Sequence, residues 1–255
     1  MASTQSGVMP LLQHLAEFRN RIFRASIVVA CGFIASWFFY NDIVAQLAEP
    51  VCDLKLDQAT GSDQCGALFV NGVLGPINLQ IKVSLIMGLI ITAPLWIYQI
   101  WAFIAPGLHK HEKLRAFYFL LAATPFFAAG VYLGYKILPV AIRVLFGFTP
   151  AQLQNLINFA DYLDFVLRVI LLFGLAFELP VFLVTLNLLG AISGKTILRP
   201  WRMWIFGITF FVAAFTPSAD PLTMLLLAIP LILFYFAAGG IALLNDRRRN
   251  VAVSD

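Results

Sequence analysis

The sequence has few charged side chains, few cysteines and few histidines. Of its 255 residues only 12% are charged, which is about half of the ~25% found in an average soluble domain. Hydrophobic residues make up 61% of the chain, and phenylalanine alone occurs 24 times. A chain of this composition buries its outer surface in lipid, so a soluble enzyme, a disordered regulator and a DNA-binding domain are excluded. The net charge of +4 therefore needs an explanation other than nucleic acid.

Scarce cysteine and histidine argue against a metal centre. Cys31 lies within an apolar stretch, where it is expected to be a small packing residue. Cys52 and Cys65 lie in one polar link, where a disulfide and two separate thiols are both open readings. None of the histidines has ligand spacing with a cysteine, so we expect no metal and no cofactor; the histidines are His14, His109 and His111.

A nucleotide site is also not expected. The segment Gly190 to Thr196 ends in Gly-Lys-Thr like a phosphate-binding loop, but the position of the first glycine of that motif is Leu189. The segment also follows an apolar stretch rather than a strand. No serine, aspartate and histidine set occurs in the apolar stretches, so we predict that the protein is not an enzyme.

Six apolar stretches predict an all-α integral membrane bundle of six transmembrane helices. A helix needs about 20 residues to cross a ~30 Å hydrocarbon core. The fifth stretch reaches only about 20 Å and is short, and the sixth, which contains Pro230, could be short as well. The stretches are residues 22–40, 77–104, 117–135, 163–189, 203–215 and a sixth from 221 towards 244.

The basic residues indicate the orientation of the bundle. Twelve of the 17 lysines and arginines fall in the N-terminal segment, the second link, the fourth link and the C-terminal tail. The positive-inside rule then predicts that both termini are cytoplasmic. We interpret residues 1–255 as one six-span membrane domain, with a cytoplasmic amphipathic segment at 1–21, a first outer loop at 41–76 and a basic cytoplasmic tail at 245–255.

Glu178 is the conspicuous ionisable residue within an apolar stretch. A carboxyl group at this depth must face a cavity, find a hydrogen-bond donor or be protonated. Pro180 cannot donate a backbone hydrogen bond, so this part of the helix is polar and prone to bend. A functional group and a protonated structural glutamate are both open. Lys82 and Arg168 lie near the outer ends of spans and are interpreted as snorkelling side chains.

Two acidic residues stand among the cations of the expected cytoplasmic side. Glu17 is four residues before Arg21, which predicts an ion pair on one face of a helix. Glu112 lies beside Lys110 and Lys113 and is compatible with a solvated helix start. Taken alone, both are ordinary surface acids.

Four separate motifs, in order, resemble those of the TatC family, the multi-spanning receptor of the twin-arginine protein translocase. The resemblance extends from about residue 12 to residue 244. The motifs are HLAEFR at 14–19, YQIWAFIAPGL at 98–108 followed by KHE at 110–112, FELPV at 177–181, and the stretch from Thr-Pro at 216–217 through Asp220 to Ala-Ile-Pro at 228–230.

The resemblance implies binding of the twin-arginine signal peptides of folded proteins. In this family the acids that correspond to Glu17 and Glu112 bind the paired arginines, which suits carboxylates because each can accept a guanidinium fork. The resemblance assigns supporting roles in this patch to Arg19, Phe103, Pro106 and Leu108. It also implies that Glu178 and Pro180 form an intramembrane polar site that contacts partners and that Asp220 belongs to an outer link.

The same resemblance implies the partners and the location. They are single-span sister subunits of the TatA and TatB type, membrane lipid and the signal peptide, in a hetero-oligomer with several copies in the bacterial inner membrane. The proton gradient would supply the energy. The sequence departs from the family at Phe236, which follows Tyr235 where family members often carry an acid.

Two other functions remain as alternatives. A small-solute secondary transporter could also have six spans and an intramembrane carboxylate, but it predicts paired repeats and broken helices, and the sequence indicates neither. A purely structural scaffold would leave Glu17 and Glu112 replaceable.

Overall fold

The computed structural model describes residues 11–52, 68–104, 113–147, 157–190, 192–215 and 221–254. Within these ranges the chain forms nine α-helices and one pair of short parallel strands, β1 (Leu68–Phe69) and β2 (Ile157–Asn158). The helices are α1 (Leu11–Phe38), α2 (Tyr40–Cys52), α3 (Gly75–Ile91), α4 (Ala93–Ile104), α5 (Lys113–Phe146), α6 (Phe159–Leu188), α7 (Gly194–Leu198), α8 (Trp201–Phe215) and α9 (Pro221–Ser254).

The apolar helices match the predicted membrane bundle. Four of them, α1, α5, α6 and α9, contain segments that are long and apolar enough to cross a membrane, and α3 with α4 forms a fifth, bent span. Helix α8 has 15 residues and reaches about 22 Å, so the fifth predicted span is short, as expected. The sixth is not short, because a 28-residue apolar segment, Pro221–Arg248, lies within α9.

Helix α6 is the centre of the bundle. Its side chains Leu163, Val166 and Phe173 are completely buried, and the apolar membrane-spanning segment of α1, by contrast, is mostly exposed. Helix α5 lies directly against α6 because Gly130 has no side chain: a Cβ atom there would lie 2.5 Å from the carbonyl oxygen of Phe173. Lipid provides no hydrophobic driving force for helices to associate. Small residues stabilise such crossings because they let the two backbones pack closely.

A second close crossing joins α1 and α3. A Cβ atom on Gly88 would lie 2.5 Å from the backbone nitrogen of Phe33, and one on Gly32 would lie 2.7 Å from the carbonyl oxygen of Gly88. The two backbones are therefore in direct contact, and only glycine fits at either position.

The second span is bent by 63° between α3 and α4, a break that the sequence analysis did not predict. Pro94 has no N–H to donate to the carbonyl of Ile90, so the regular helix cannot continue. The Thr92 N–H donates to the Gly88 carbonyl at 3.1 Å and also to that of Ile90, and the Thr92 hydroxyl donates to Gly88 at 2.7 Å. The Trp96 indole N–H donates to the Leu89 carbonyl at 2.8 Å, so side chains on both sides of the break hold its angle.

The predicted first outer loop contains the amphipathic helix α2. Its side chains Leu47, Pro50 and Val51 are buried, at the spacing of one helical face. Pro50 cannot donate to the carbonyl of Gln46, and the Tyr135 hydroxyl from α5 donates to it at 3.1 Å. Helix α5, which carries Tyr135, extends to Phe146, beyond the predicted limit at residue 135.

Lys82 forms an ion pair that the sequence analysis did not predict. Its ammonium group lies 2.7 Å from the Asp164 carboxylate and joins α3 to the first turns of α6. The two residues are 82 positions apart, so the pairing could not be read from local sequence. The exposed side chain of Arg168 is compatible with the original interpretation.

Four helix termini lie at one end of the bundle, which we call the basic end. The Phe18 ring near the start of α1 contacts the Phe103 ring at the end of α4. The ends of α6 and α9 meet through Asn187 and Asp246. Helix α6 begins beside α2, at the opposite end, where the Tyr162 hydroxyl donates to Leu47. The basic end contains the exposed or half-buried cations Arg19, Arg21, Arg24, Lys195, Arg199, Arg202, Arg247 and Arg248.

Replacing Gly88 by alanine should destabilise the protein by about 1–3 kcal/mol, because the added methyl group overlaps the backbone of α1. The measurement is thermal unfolding in detergent. Gly207→Ala is the matched control, since a Cβ atom there meets nothing within 4 Å; it should raise stability by about 0.5–1 kcal/mol through helix propensity. Equal melting temperatures for Gly88→Ala and the unaltered protein would contradict the close α1–α3 contact.

Candidate functional site

Two sequence motifs meet at the basic end. Phe18 belongs to the N-terminal motif on α1, and Phe103 belongs to the motif at the end of α4. Their ring centroids are 4.9 Å apart at an interplanar angle of 49°, a geometry in which aromatic pairs attract each other. The bend at Thr92 directs α4 towards this contact. The end of α4 thus lies beside the turn of α1 that carries Glu17.

Glu17 is half-buried and pairs with Arg21, as its spacing predicts. The Arg21 Nε and Nη2 atoms lie 3.0 Å and 2.5 Å from the same carboxylate oxygen, Oε1. The second carboxylate oxygen receives no bond from Arg21, so the guanidinium does not form a two-oxygen fork. Arg19, two residues further along α1, has an exposed side chain. The site therefore combines one partly engaged carboxylate, an exposed guanidinium and an aromatic pair.

Several predicted site residues lie outside the described residues. They are Cys65, Pro106, Leu108, Glu112 and Asp220. The roles assigned to them stay predictions, and so does the convergence of Glu112 with Glu17. Cys52 is disulfide-bonded and Cys31 is a free thiol. The specific pairing of Cys52 with Cys65 also stays a prediction.

Glu178 lies near the middle of α6 on a half-buried stripe. Its neighbours on that stripe, one turn away on either side, are Leu175 and Phe182. Both pack against a small apolar cluster formed by α4, α5 and α6, whose members are Ala93, Ile97, Ala123, Phe127 and Val181. The Oε1 atom of Glu178 is buried and has no hydrogen-bond partner among the described residues. This buried oxygen therefore has an unused acceptor position within the described part of the chain.

An apolar groove of about 600 Å³ begins at Pro180, two residues after Glu178. Its floor runs along α6 from Pro180 through Val184 to Leu188, and its sides are formed by Phe126 of α5 and Phe234 of α9. Pro180 releases the carbonyl of Ala176 from the helix, so the backbone near Glu178 also offers an acceptor. The lining continues along α6 to Leu189.

The unusual Phe236 is exposed on α9, with 41% of its surface accessible. Its aromatic side chain contacts the ring of Tyr235, which is buried. An apolar group at this exposed position suits contact with lipid and cannot accept the hydrogen bonds that an acid would.

Sequence reasoning missed two features of the basic end. The first is the Thr92–Trp96 bend, for which Pro94 in the middle of a long apolar stretch was an available signal. The second is the polar network between Asn187 and Asp246, which are 59 positions apart. No local pattern connects those two residues.

Comparison with known proteins identifies relatives over almost the whole chain. The model of the family described as Sec-independent protein translocase protein (TatC) matches residues 13–230. A Sec-independent protein translocase protein TatC of Xylanimonas cellulosilytica is 40% identical over 94% of this chain and 86% of its own length. The protein of that name from Rothia mucilaginosa is 37% identical over 95% of this chain and 82% of its own length.

Two solved structures are similar to this one. A crystal structure of the twin arginine translocase receptor TatC matches 91% of this chain and 98% of its own, with a TM-score of 0.79 and 31% identity. A crystal structure of that receptor in DDM matches 90% of this chain and 99% of its own, with a TM-score of 0.78 and 30% identity.

The polar side chains of Glu178 and Asn187 on α6 should respond in opposite ways to replacement by leucine. Glu178→Leu removes a buried oxygen atom without a partner and should raise the free energy of unfolding by about 1 kcal/mol. Asn187→Leu leaves the partners of a fully bonded amide unsatisfied and should lower it by about 1–3 kcal/mol. Thermal unfolding in detergent measures both variants. A strong loss of stability in Glu178→Leu would show that the carboxyl group is already bonded within the chain.

Proposed function

The chain belongs to the TatC family of Sec-independent protein translocase proteins, and we propose that it is the translocase receptor for twin-arginine signal peptides. As a family member it is a multi-pass membrane subunit of a protein translocase and not an enzyme. The proposed location is the bacterial inner membrane, with the basic end and both termini in the cytoplasm, as the positive-inside rule favours.

The contact between Phe18 and Phe103 carries this proposal. It joins the N-terminal motif to the motif at the end of α4, two parts of the chain that the resemblance assigns to one binding patch. Glu17 lies on the same turn of α1 as Phe18, and its Oε2 atom receives no bond from Arg21. We propose that Glu112 supplies the second carboxylate, and that Arg19, Phe103, Pro106 and Leu108 support the patch.

Recognition of two arginines follows from the chemistry of carboxylates. A guanidinium group donates two parallel hydrogen bonds to one carboxylate, whereas lysine offers a compact point charge. Two carboxylates therefore favour a pair of arginines over a pair of lysines. The neighbouring aromatic rings offer flat faces on which a guanidinium group can stack.

Beyond the patch, the apolar part of the signal peptide would insert along the bundle towards Glu178. The groove that starts at Pro180, two residues from Glu178, is apolar, and the buried Oε1 atom of Glu178 has no hydrogen-bond partner among the described residues. A polar side chain on a single-span sister subunit, of the TatA or TatB type, would supply that donor. We further propose a hetero-oligomer with several copies, driven by the proton gradient.

The alternative is a small-solute secondary transporter. The bent second span and the intramembrane Glu178 are features that such a transporter would also have. Its folds place two broken helices opposite each other, whereas α3 with α4 is the one bent pair in the described part of the chain. The receptor is therefore the better supported function.

Replacing both Glu17 and Glu112 by glutamine should reduce crosslinking of a twin-arginine signal peptide at least tenfold, because two charge-assisted bonds are lost. The measurement is photocrosslinking to the full-length protein in membranes. Asp42→Asn with Asp161→Asn is the control, since it removes two exposed acids at the opposite end. Undiminished crosslinking in the glutamine variant would overturn the assignment of Glu17 and Glu112 to signal-peptide binding.

Arg21 should weaken signal-peptide binding, because its guanidinium occupies the Glu17 carboxylate that an incoming arginine needs. Arg21→Gln should therefore tighten binding of a twin-arginine peptide by about two- to fivefold, the value of a partly exposed ion pair. Arg24→Gln, which removes an exposed charge one turn further along α1, is the control for net charge. An equal gain in both variants would mean that general repulsion, and not competition for Glu17, limits binding.

A further inference from the structure

A second cavity lies at the basic end, away from the proposed peptide patch. It has a volume of about 750 Å³ and is enclosed by the end of α6, the start of α7 and the end of α9. Its lining includes the polar side chains of Asn187, Ser193, Lys195, Asp246 and Arg247 together with Leu243. Polar and apolar side chains thus line the same cavity.

A network of hydrogen bonds fixes the walls of this cavity. The Asn187 amide nitrogen donates to the Ile192 carbonyl at 2.9 Å and to the Asp246 carboxylate at 2.8 Å. The Gly194 N–H donates to the other Asp246 oxygen at 2.6 Å. The Asn245 amide nitrogen donates to the Asn187 oxygen at 2.9 Å. Since Asn187 is only 1% exposed, the network forms part of the protein interior.

Close backbone packing holds the same elements together. A Cβ atom on Gly194 would lie 2.5 Å from the backbone nitrogen of Leu243, so the start of α7 lies directly on α9. The Tyr235 hydroxyl of α9 also donates to the Ile197 carbonyl at 2.7 Å. The cavity is therefore preorganised rather than formed by loose side chains.

The charges of the cavity favour an anion. Both oxygens of the Asp246 carboxylate already accept hydrogen bonds within the wall. Lys195 and Arg247 are exposed, and neither forms an ion pair with an acid of the described residues. The lining therefore has a net charge of +1, with two cations directed at a space that the network keeps open.

The cavity lies at the level where apolar helices become polar. The apolar part of α9 ends at Leu244, directly before Asn245, and α6 ends at Leu188, which is exposed. Helix α8 begins nearby with the exposed Trp201, whose ring lies under the Arg202 guanidinium. Tryptophan and arginine at helix ends are typical of the headgroup region of a bilayer.

We propose that this cavity binds the phosphate of an anionic phospholipid, with Lys195 and Arg247 contacting the phosphate and the Ser193 hydroxyl donating to it. The acyl chains would lie against the exposed apolar side chains at the ends of α6 and α9. Basic pockets between spans bind anionic headgroups on the cytoplasmic side of membranes. This site does not depend on the proposed receptor function.

The test measures retention of phosphatidylglycerol by the purified full-length protein in detergent, with native mass spectrometry as the readout. Lys195→Gln and Arg247→Gln should each weaken binding about fivefold, and the double variant roughly 30-fold, since each basic residue near an anionic surface contributes about 1 kcal/mol. Lys136→Gln with Arg143→Gln removes two exposed cations of α5 at the opposite end and should change binding by less than twofold.

Three results would overturn the proposal. They are an unchanged affinity in the double variant, an equal loss in the Lys136 and Arg143 control, and retention of zwitterionic phosphatidylcholine as strong as that of phosphatidylglycerol. Soluble glycerol phosphate should not be retained; its binding with the affinity of the lipid would assign the cavity to a free phosphate compound instead. Lys195→Arg keeps the charge and should preserve lipid binding. If the double variant does not fold, the affinities of the two single variants test the proposal.

Discussion

Bilayer hydrocarbon offers no hydrogen-bond donor, so a carbonyl that a proline releases from a helix must find a partner within the protein. This constraint acts at the bend of the second span. A hydroxyl replaces a missing proline N–H in the predicted first outer loop as well, where Tyr135 of α5 donates to the Gln46 carbonyl and joins α2 to the bundle. At Pro94, Thr92 and Trp96 satisfy the carbonyls around the break. Each substitute donor also holds two parts of the chain in a defined orientation.

The bend at Thr92 links this constraint to function. Helix α4 departs from α3 by 63°, and its last turn contacts α1, where Phe103 lies against Phe18 beside Glu17. The close contact of Gly32 with Gly88 lies directly before the bend and provides the fixed point from which α4 turns. The proposed peptide patch therefore rests on backbone geometry deep in the bundle.

Two polar side chains of α6 differ in whether their hydrogen bonds are satisfied. Asn187 uses its amide fully in bonds that close the basic end around α6, α7 and α9. Glu178 keeps a buried oxygen without a partner in the described part of the chain. A fully bonded group such as the Asn187 amide stabilises one arrangement of helices. An unsatisfied one is costly in the isolated chain and is relieved by a donor from another molecule, which suits a subunit that assembles with others.

Local sequence determined the membrane class, the positions of the apolar helices, the short α8 and the Glu17–Arg21 pair, because composition and helical spacing act over a few residues. It also contained Pro94, whose effect on the second span is local. Only the tertiary structure decided the 63° angle, the meeting of Phe18 with Phe103, the Lys82–Asp164 pair and the Asn187–Asp246 network. These features join residues that are far apart in the chain, and their geometry depends on how closely glycine allows the helices to pack.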